Sequence, residues 1–101
     1  MKTFSEKDPA EKVFVVFDFS KTITNQVETI TAASFAVEVI TGVDATPSAI
    51  LNGSPVFKAK EASILIIGGV AGVDYKITCT VDTNKNQRFL GIGQLPVRSQ
   101  A

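Results

Sequence analysis

Histidine and tryptophan are both absent from this 101-residue chain, and cysteine occurs once. Without histidine, the usual general base and the commonest metal ligand are missing. Zinc is thereby excluded on ligand count, and no clustered Asp-rich loop marks a calcium site. The expectation is therefore no metal, no cofactor and no enzymatic activity. The lone Cys79 rules out an intrachain disulfide, and with it a disulfide-built secreted scaffold. A surplus of charge is lacking too: ten Lys and Arg balance ten Asp and Glu. Phosphate neutralisation needs a basic surplus or stripe, so no nucleic-acid partner is expected. Zero net charge also leaves self-association unopposed, and a homo-oligomer is allowed. Long apolar runs are missing as well. The longest, Ile64 to Val73, is about ten residues and is broken by glycines, whereas a membrane span needs roughly 20. "MKTFSEKDPAEK" offers no apolar segment of a secretory signal. No membrane is expected, and the chain should stay in the cytosol at least until it is assembled.

What is present is period-two alternation of β-branched and aromatic residues. "KVFVVFDFS" (12–20) sets Val13, Val15, Phe17 and Phe19 on one face, with Phe14, Val16 and Asp18 opposite. "SFAVEVITG" (34–42) turns Phe35, Val37 and Val39 inward and Ala36, Glu38 and Ile40 outward. "DYKITCTVDT" (74–83) alternates most clearly, with Tyr75, Ile77, Cys79 and Val81 inward. "SAILNG" (48–53) and "SPVFKAK" (54–60) read as short runs cut by Asn52-Gly53 and Pro55, and "SILII" (63–67) as a brief apolar strand. "QRFLGIGQLPV" (87–97) closes the pattern. The nearest approach to a helical stripe, Val27, Ile30 and Thr31, lies among threonines and β-branched residues that favour extended backbone. Short strands with turn signals between them predict an all-β, immunoglobulin-like Greek-key sandwich of about seven strands. One domain spans 1–101, with 1–11 and 98–101 as loose tails. "TNKNQ" (83–87) is the best hairpin turn.

"GGVAGVDY" (68–75) concentrates three glycines before the only tyrosine. A dinucleotide loop needs G-x-G-x-x-G and a following helix, and a P-loop needs a terminal Gly-Lys-Ser/Thr. Neither pattern is met, and a strand follows Gly72. The spacing Gly72-Val73-Asp74-Tyr75 instead fits a tyrosine corner, in which the hydroxyl bonds backbone a few residues upstream. Gly69, Gly72 and Tyr75 are the candidate corner residues. Cys79, between Ile77 and Val81 on an apolar strand face, reads as a small buried hydrophobe rather than a reactive thiol. Glu28 with Glu38 or Asp18 is a conceivable carboxylate pair that no spacing demands.

Phe14, Val16, Leu90 and Ile92 all stand away from the inward sets of their strands. If the first and last strands are neighbours, the four form one exposed apolar patch of the sort that marks an interaction site. Alternatively, loops or the amino-terminal segment cover them. Gly91 and Gly93 in the last strand mark a bulge or a close backbone approach.

Together, "FDFS" (17–20), "ETITAASFAV" (28–37), "GGVAGVDY" (68–75) and the "T…NQR" turn (83–88) resemble a known family. It comprises the small immunoglobulin-like structural proteins of tailed bacteriophages and prophages, of the tail or head–tail adaptor type. The chain departs from it by carrying Phe19 and Phe35 where tryptophan is usual, and Asn-Lys-Asn-Gln in place of a glycine turn. The resemblance implies a virion component with other virion structural proteins as partners, and it brings no catalytic residues. A carbohydrate- or surface-binding module of the same fold is the alternative, for which Phe57 and Phe89 are the candidate exposed aromatics.

Overall fold

The computed structural model describes residues 2–24 and 27–99. Seven strands are found among them: β1 (Lys2–Thr3), β2 (Val13–Asp18), β3 (Ile30–Thr41), β4 (Leu51–Lys58), β5 (Glu61–Ile66), β6 (Asp74–Thr83) and β7 (Arg88–Pro96). A single 3-10 turn, Pro47–Ile50, precedes β4. The strands form a β-sandwich. One sheet has the order β1-β7-β6-β3 and the other β2-β5-β4. All pairings are antiparallel except the short parallel match of β1 to β7.

Alternation explains the layering. On β6, the middle strand of the larger sheet, Tyr75, Ile77, Cys79 and Val81 are fully buried. Val15, Phe17 and Phe19 oppose them from β2 and its continuation, with Ala62, Ile64 and Ile66 from β5. Each buried large apolar side chain contributes about 1.5–3 kcal/mol relative to exposure, which is what holds the two layers together. Strand β7 contributes in the opposite way, by leaving room. A Cβ on Gly91 would lie 2.7 Å from Phe17 Cδ2, and one on Gly93 would lie 2.5 Å from Phe4 Cε2. The aromatic rings therefore occupy the space that side chains at 91 and 93 would need. Phe4 meets Phe17 edge to face at 5.5 Å, and Phe17 in turn contacts Phe35 at 6.0 Å.

Three expectations need correction. Asn52-Gly53 and Pro55 do not cut the chain: β4 runs through them, with a register irregularity between Asn52 and Val56. An edge position tolerates this, because Pro55 needs no donor toward an absent neighbour. The run expected to begin at 48 starts instead with the 3-10 turn over Pro47–Ile50. The amino-terminal residues are not a loose tail either. The Phe4 and Lys7 amides donate to the Gln94 and Pro96 carbonyls, and the Arg98 amide donates to the Lys7 carbonyl. Lys7 is only 1% exposed, and its Nζ donates to the Gly68 carbonyl at 2.7 Å and to the Asp8 carbonyl at 2.9 Å. Burial pulls its pKa below the usual lysine value. At the other end Arg98 Nη2 bonds Asp74 Oδ1 at 2.7 Å, which ties down the first residue of the expected carboxy-terminal tail. Residues 1, 100 and 101 lie outside the described residues.

Candidate docking faces and the tyrosine corner

The loop between β5 and β6 is built on backbone that only glycine adopts easily. Gly68, Gly69 and Gly72 have φ of 62°, 97° and 88°. Val70 to Val73 forms a turn closed by the Val73 amide on the Val70 carbonyl, with Gly72 at the third position. Positive φ there is what a type II turn requires. Gly69 also sits close to Val97, whose Cγ2 a Cβ would meet at 3.1 Å. The Tyr75 hydroxyl then works in both directions. It accepts the Val70 N–H at 2.9 Å and donates to Asp44 Oδ2 at 2.7 Å. Asp44 Oδ1 accepts the Thr46 N–H at 2.9 Å, so one carboxylate joins the β3–β4 connection to this loop.

The electrostatics follow from that geometry. Burial first, and then the bond to Asp44, push the Tyr75 phenol up to about 12. The same bond, with the Thr46 amide, holds the Asp44 carboxyl below the usual value. Three of the loop amides are engaged within the protein: Val70 with Tyr75, Gly72 with the Val97 carbonyl, Val73 with Val70. They do not converge on a shared anion, as a phosphate-binding loop requires.

The remaining chemical candidates are occupied elsewhere. Cys79 is completely buried, and burial pushes its thiol up to about 12. Glu28 is buried and accepts the Thr83 hydroxyl at 2.5 Å. Glu38 points outward from β3 in register with Lys76, and Asp18 lies opposite Glu61. The carboxylates conceived as a pair thus take three separate positions. Among the described residues no three His, Cys, Asp or Glu side chains gather at a point.

The outward apolar residues are distributed over two surfaces. Phe14 is 61% exposed and Leu90 60% exposed, and Val16 and Ile92 are exposed as well. Phe14 and Val16 stand on the outer face of the β2-β5-β4 sheet, in register with Leu65 and Ser63. Leu90 and Ile92 stand on the outer face of the β1-β7-β6-β3 sheet, in register with Thr80 and Thr78. The four are thus not joined in one patch, because β2 and β7 belong to different sheets and turn their outer faces away from each other. The aromatics considered for carbohydrate recognition also divide: Phe57 is exposed, while Phe89 packs against the core.

Sequence reasoning missed Asp44, Phe4 and Lys7. Asp44 precedes a Thr and a Pro in a loop and carries no spacing to Tyr75, 31 positions away. Lys7 reaches its acceptor across 61 positions, and one lysine in a polar segment has no periodicity to betray it.

The family model described as "Podophage GP4 fiber-tail adaptor protein gp77" matches residues 7–90, from the buried lysine through the glycine loop to Leu90. No curated protein matches the chain. Since that match takes in most of an all-β sandwich whose outward apolar residues suit contact rather than chemistry, the chain belongs to this family of phage fiber-tail adaptors and is a structural protein of the phage tail.

Proposed function

We propose that the chain is a non-enzymatic adaptor that docks between other virion proteins through its two outward sheet faces and strand edges. One observation carries this reading. A single rigid sandwich presents exposed apolar side chains from both outer faces, Phe14 and Val16 on one side, Leu90 and Ile92 on the other. An adaptor must hold two things apart and together, and two back-to-back contact surfaces on a stiff spacer meet that need. Contiguous exposed apolar patches mark interaction sites in soluble domains.

The strand order supports the immunoglobulin-like Greek-key reading. With β2 to β7 taken as strands B to G, one sheet is B-E-D and the other is C-F-G, with β1 added parallel to the last strand. The tyrosine bond to upstream backbone supports it too. The chain waits in the host cytoplasm before assembly and uses neither nucleic acid nor membrane. The carbohydrate-binding reading is left with Phe57 alone and is not adopted.

Complementation tests the proposal. A phage lacking this gene, supplied with Phe14→Ser or Leu90→Ser, should build tails that contain less of the protein, measured by quantitative mass spectrometry of purified particles. Full incorporation of both folded variants would refute docking by these faces.

A further inference from the structure

The two outer faces differ in their charge pattern, and one of them is complementary to itself. On the β3-β6-β7 face the register stacks five rows, the first of them Thr41, Asp74 and Pro96, where Asp74 is bound by Arg98. Glu38, Lys76 and Gln94 form the next, and Ala32, Asp82 and Arg88 form the far end. Between them lie Ala36, Thr78 and Ile92, then Ser34, Thr80 and Leu90. The middle is thus flat, small on two strands and apolar on the third, with no charge.

We infer that this face pairs with the same face of a second copy, about a two-fold axis that runs across the strands. This rests on the reading of the outer faces as docking surfaces and names the occupant of one of them. A two-fold across the strands, centred between the Thr78 and Thr80 rows, lays the Lys76 row on the Asp82 row of the other copy. Lys76 then faces Asp82 twice, Arg88 faces Gln94, and Leu90 meets Ile92 over a small-residue floor that lets two sheets approach closely. A two-fold along the strands would instead set Lys76 against Lys76 and Asp82 against Asp82. Of these two arrangements the charges favour the first. Lys76 has no ion-pair partner in its own chain among the described residues, which leaves its ammonium available. Asp82 is held in place by Arg88 at 2.7 Å.

The β2-β5-β4 face lacks this property. Asp18, Glu61 and Lys58 crowd one end, while Phe14, Leu65 and Asn52 form the other. The same two-fold would bury charges against apolar side chains, and a two-fold along the strands would oppose Glu61 with Glu61. Only the β7 face suits a second copy, so the β2 face remains for a different tail protein.

Sedimentation equilibrium of the purified chain, with variants checked for folding by circular dichroism, tests the pairing. The wild type should move with concentration from the chain mass of 10.8 kDa toward twice that value. Lys76→Glu, Asp82→Lys and Leu90→Ser should each shift it to the monomer. An equimolar mixture of Lys76→Glu with Asp82→Lys should recover the dimer, because both inter-copy pairs are again of opposite sign. Phe14→Ser should leave it intact. A wild type that stays monomeric throughout, a dimer indifferent to the three substitutions, or a mixture that stays monomeric would each overturn the inference. Tails that incorporate the Phe14→Ser chain fully while the dimer persists would count against adaptor docking through the β2 face and leave the pairing standing.

Discussion

Strands β2 and β7 both carry apolar residues on two faces, but the middle of each meets the core in a different way. β2 sends Val15 and Phe17 into the core, followed by Phe19. Between its core residues Phe89 and Leu95, β7 faces the core with Gly91 and Gly93 and turns Leu90 and Ile92 to the outside. The two are fitted to each other, since Phe17 and Phe19 lie where a side chain at 91 would be. The difference shows that the outward residues of β7 are not core residues displaced. Along 90–93 its only sizeable side chains point away from the core, so on the proposed reading their role lies outside the domain. For β2 the outward Phe14 and Val16 add a second surface to a strand already committed to the core.

The comparison is broken most severely at Gly91. Gly91→Ala would place a methyl group 2.7 Å from the buried Phe17 ring. Overpacking of that kind should cost about 1–3 kcal/mol, seen as a lower midpoint of chemical unfolding. An unchanged midpoint would mean that the glycine is not there for space.

Tyr75→Phe tests the corner that fixes where β6, and with it β7, begins. It removes one hydroxyl that serves two partners and should cost about 1 kcal/mol. The same group gives a pH signature. Its pKa is raised to about 12 in the folded chain, against about 10 for an unperturbed tyrosine. Between these values the unfolded chain has released the proton and the native chain has kept it. The contribution of Tyr75 is therefore fully present below about pH 10 and is lost as pH rises toward 12. Because Tyr75 is the only tyrosine and tryptophan is absent, ultraviolet absorbance during an alkaline titration reads it directly. A native phenol that ionises at the unperturbed value would contradict the buried bond to Asp44.

Much of this arrangement could be read from alternation, and what could not was non-local. The inward and outward sets expected on β2, on 35–40 of β3 and on β6 agree with the period-two pattern, as do the outward Leu90 and Ile92 of β7, while the buried Ile30 lies beyond a bulge. Strand β4 was hidden because Asn52-Gly53 and Pro55 are break signals, and an edge strand absorbs them in an irregular register. Strand β1 has two residues, too few for a period. That Phe14 and Leu90 each face outward follows from local pattern. Whether they share a surface depends on which sheet each strand joins, and no local pattern carries that. Asp44 and Lys7 stayed invisible for the same reason, since their partners lie far along the chain.

The smallest stability effects are expected at the residues proposed to dock. Phe14→Ser and Leu90→Ser remove exposed side chains, so each should change stability by no more than about 0.5 kcal/mol. A large loss from either would place that residue in the core and restore β2 and β7 to the same role.

The most direct test is hydroxyl-radical footprinting of the free chain against the chain in assembled tails. Phe14, Leu90 and Ile92 should react strongly in the free chain at concentrations dilute enough for it to be monomeric and become protected in the tail, while the buried Ile77 stays unreactive in both. Equal reactivity of all three in free and assembled protein would contradict an adaptor that works through its two outer faces.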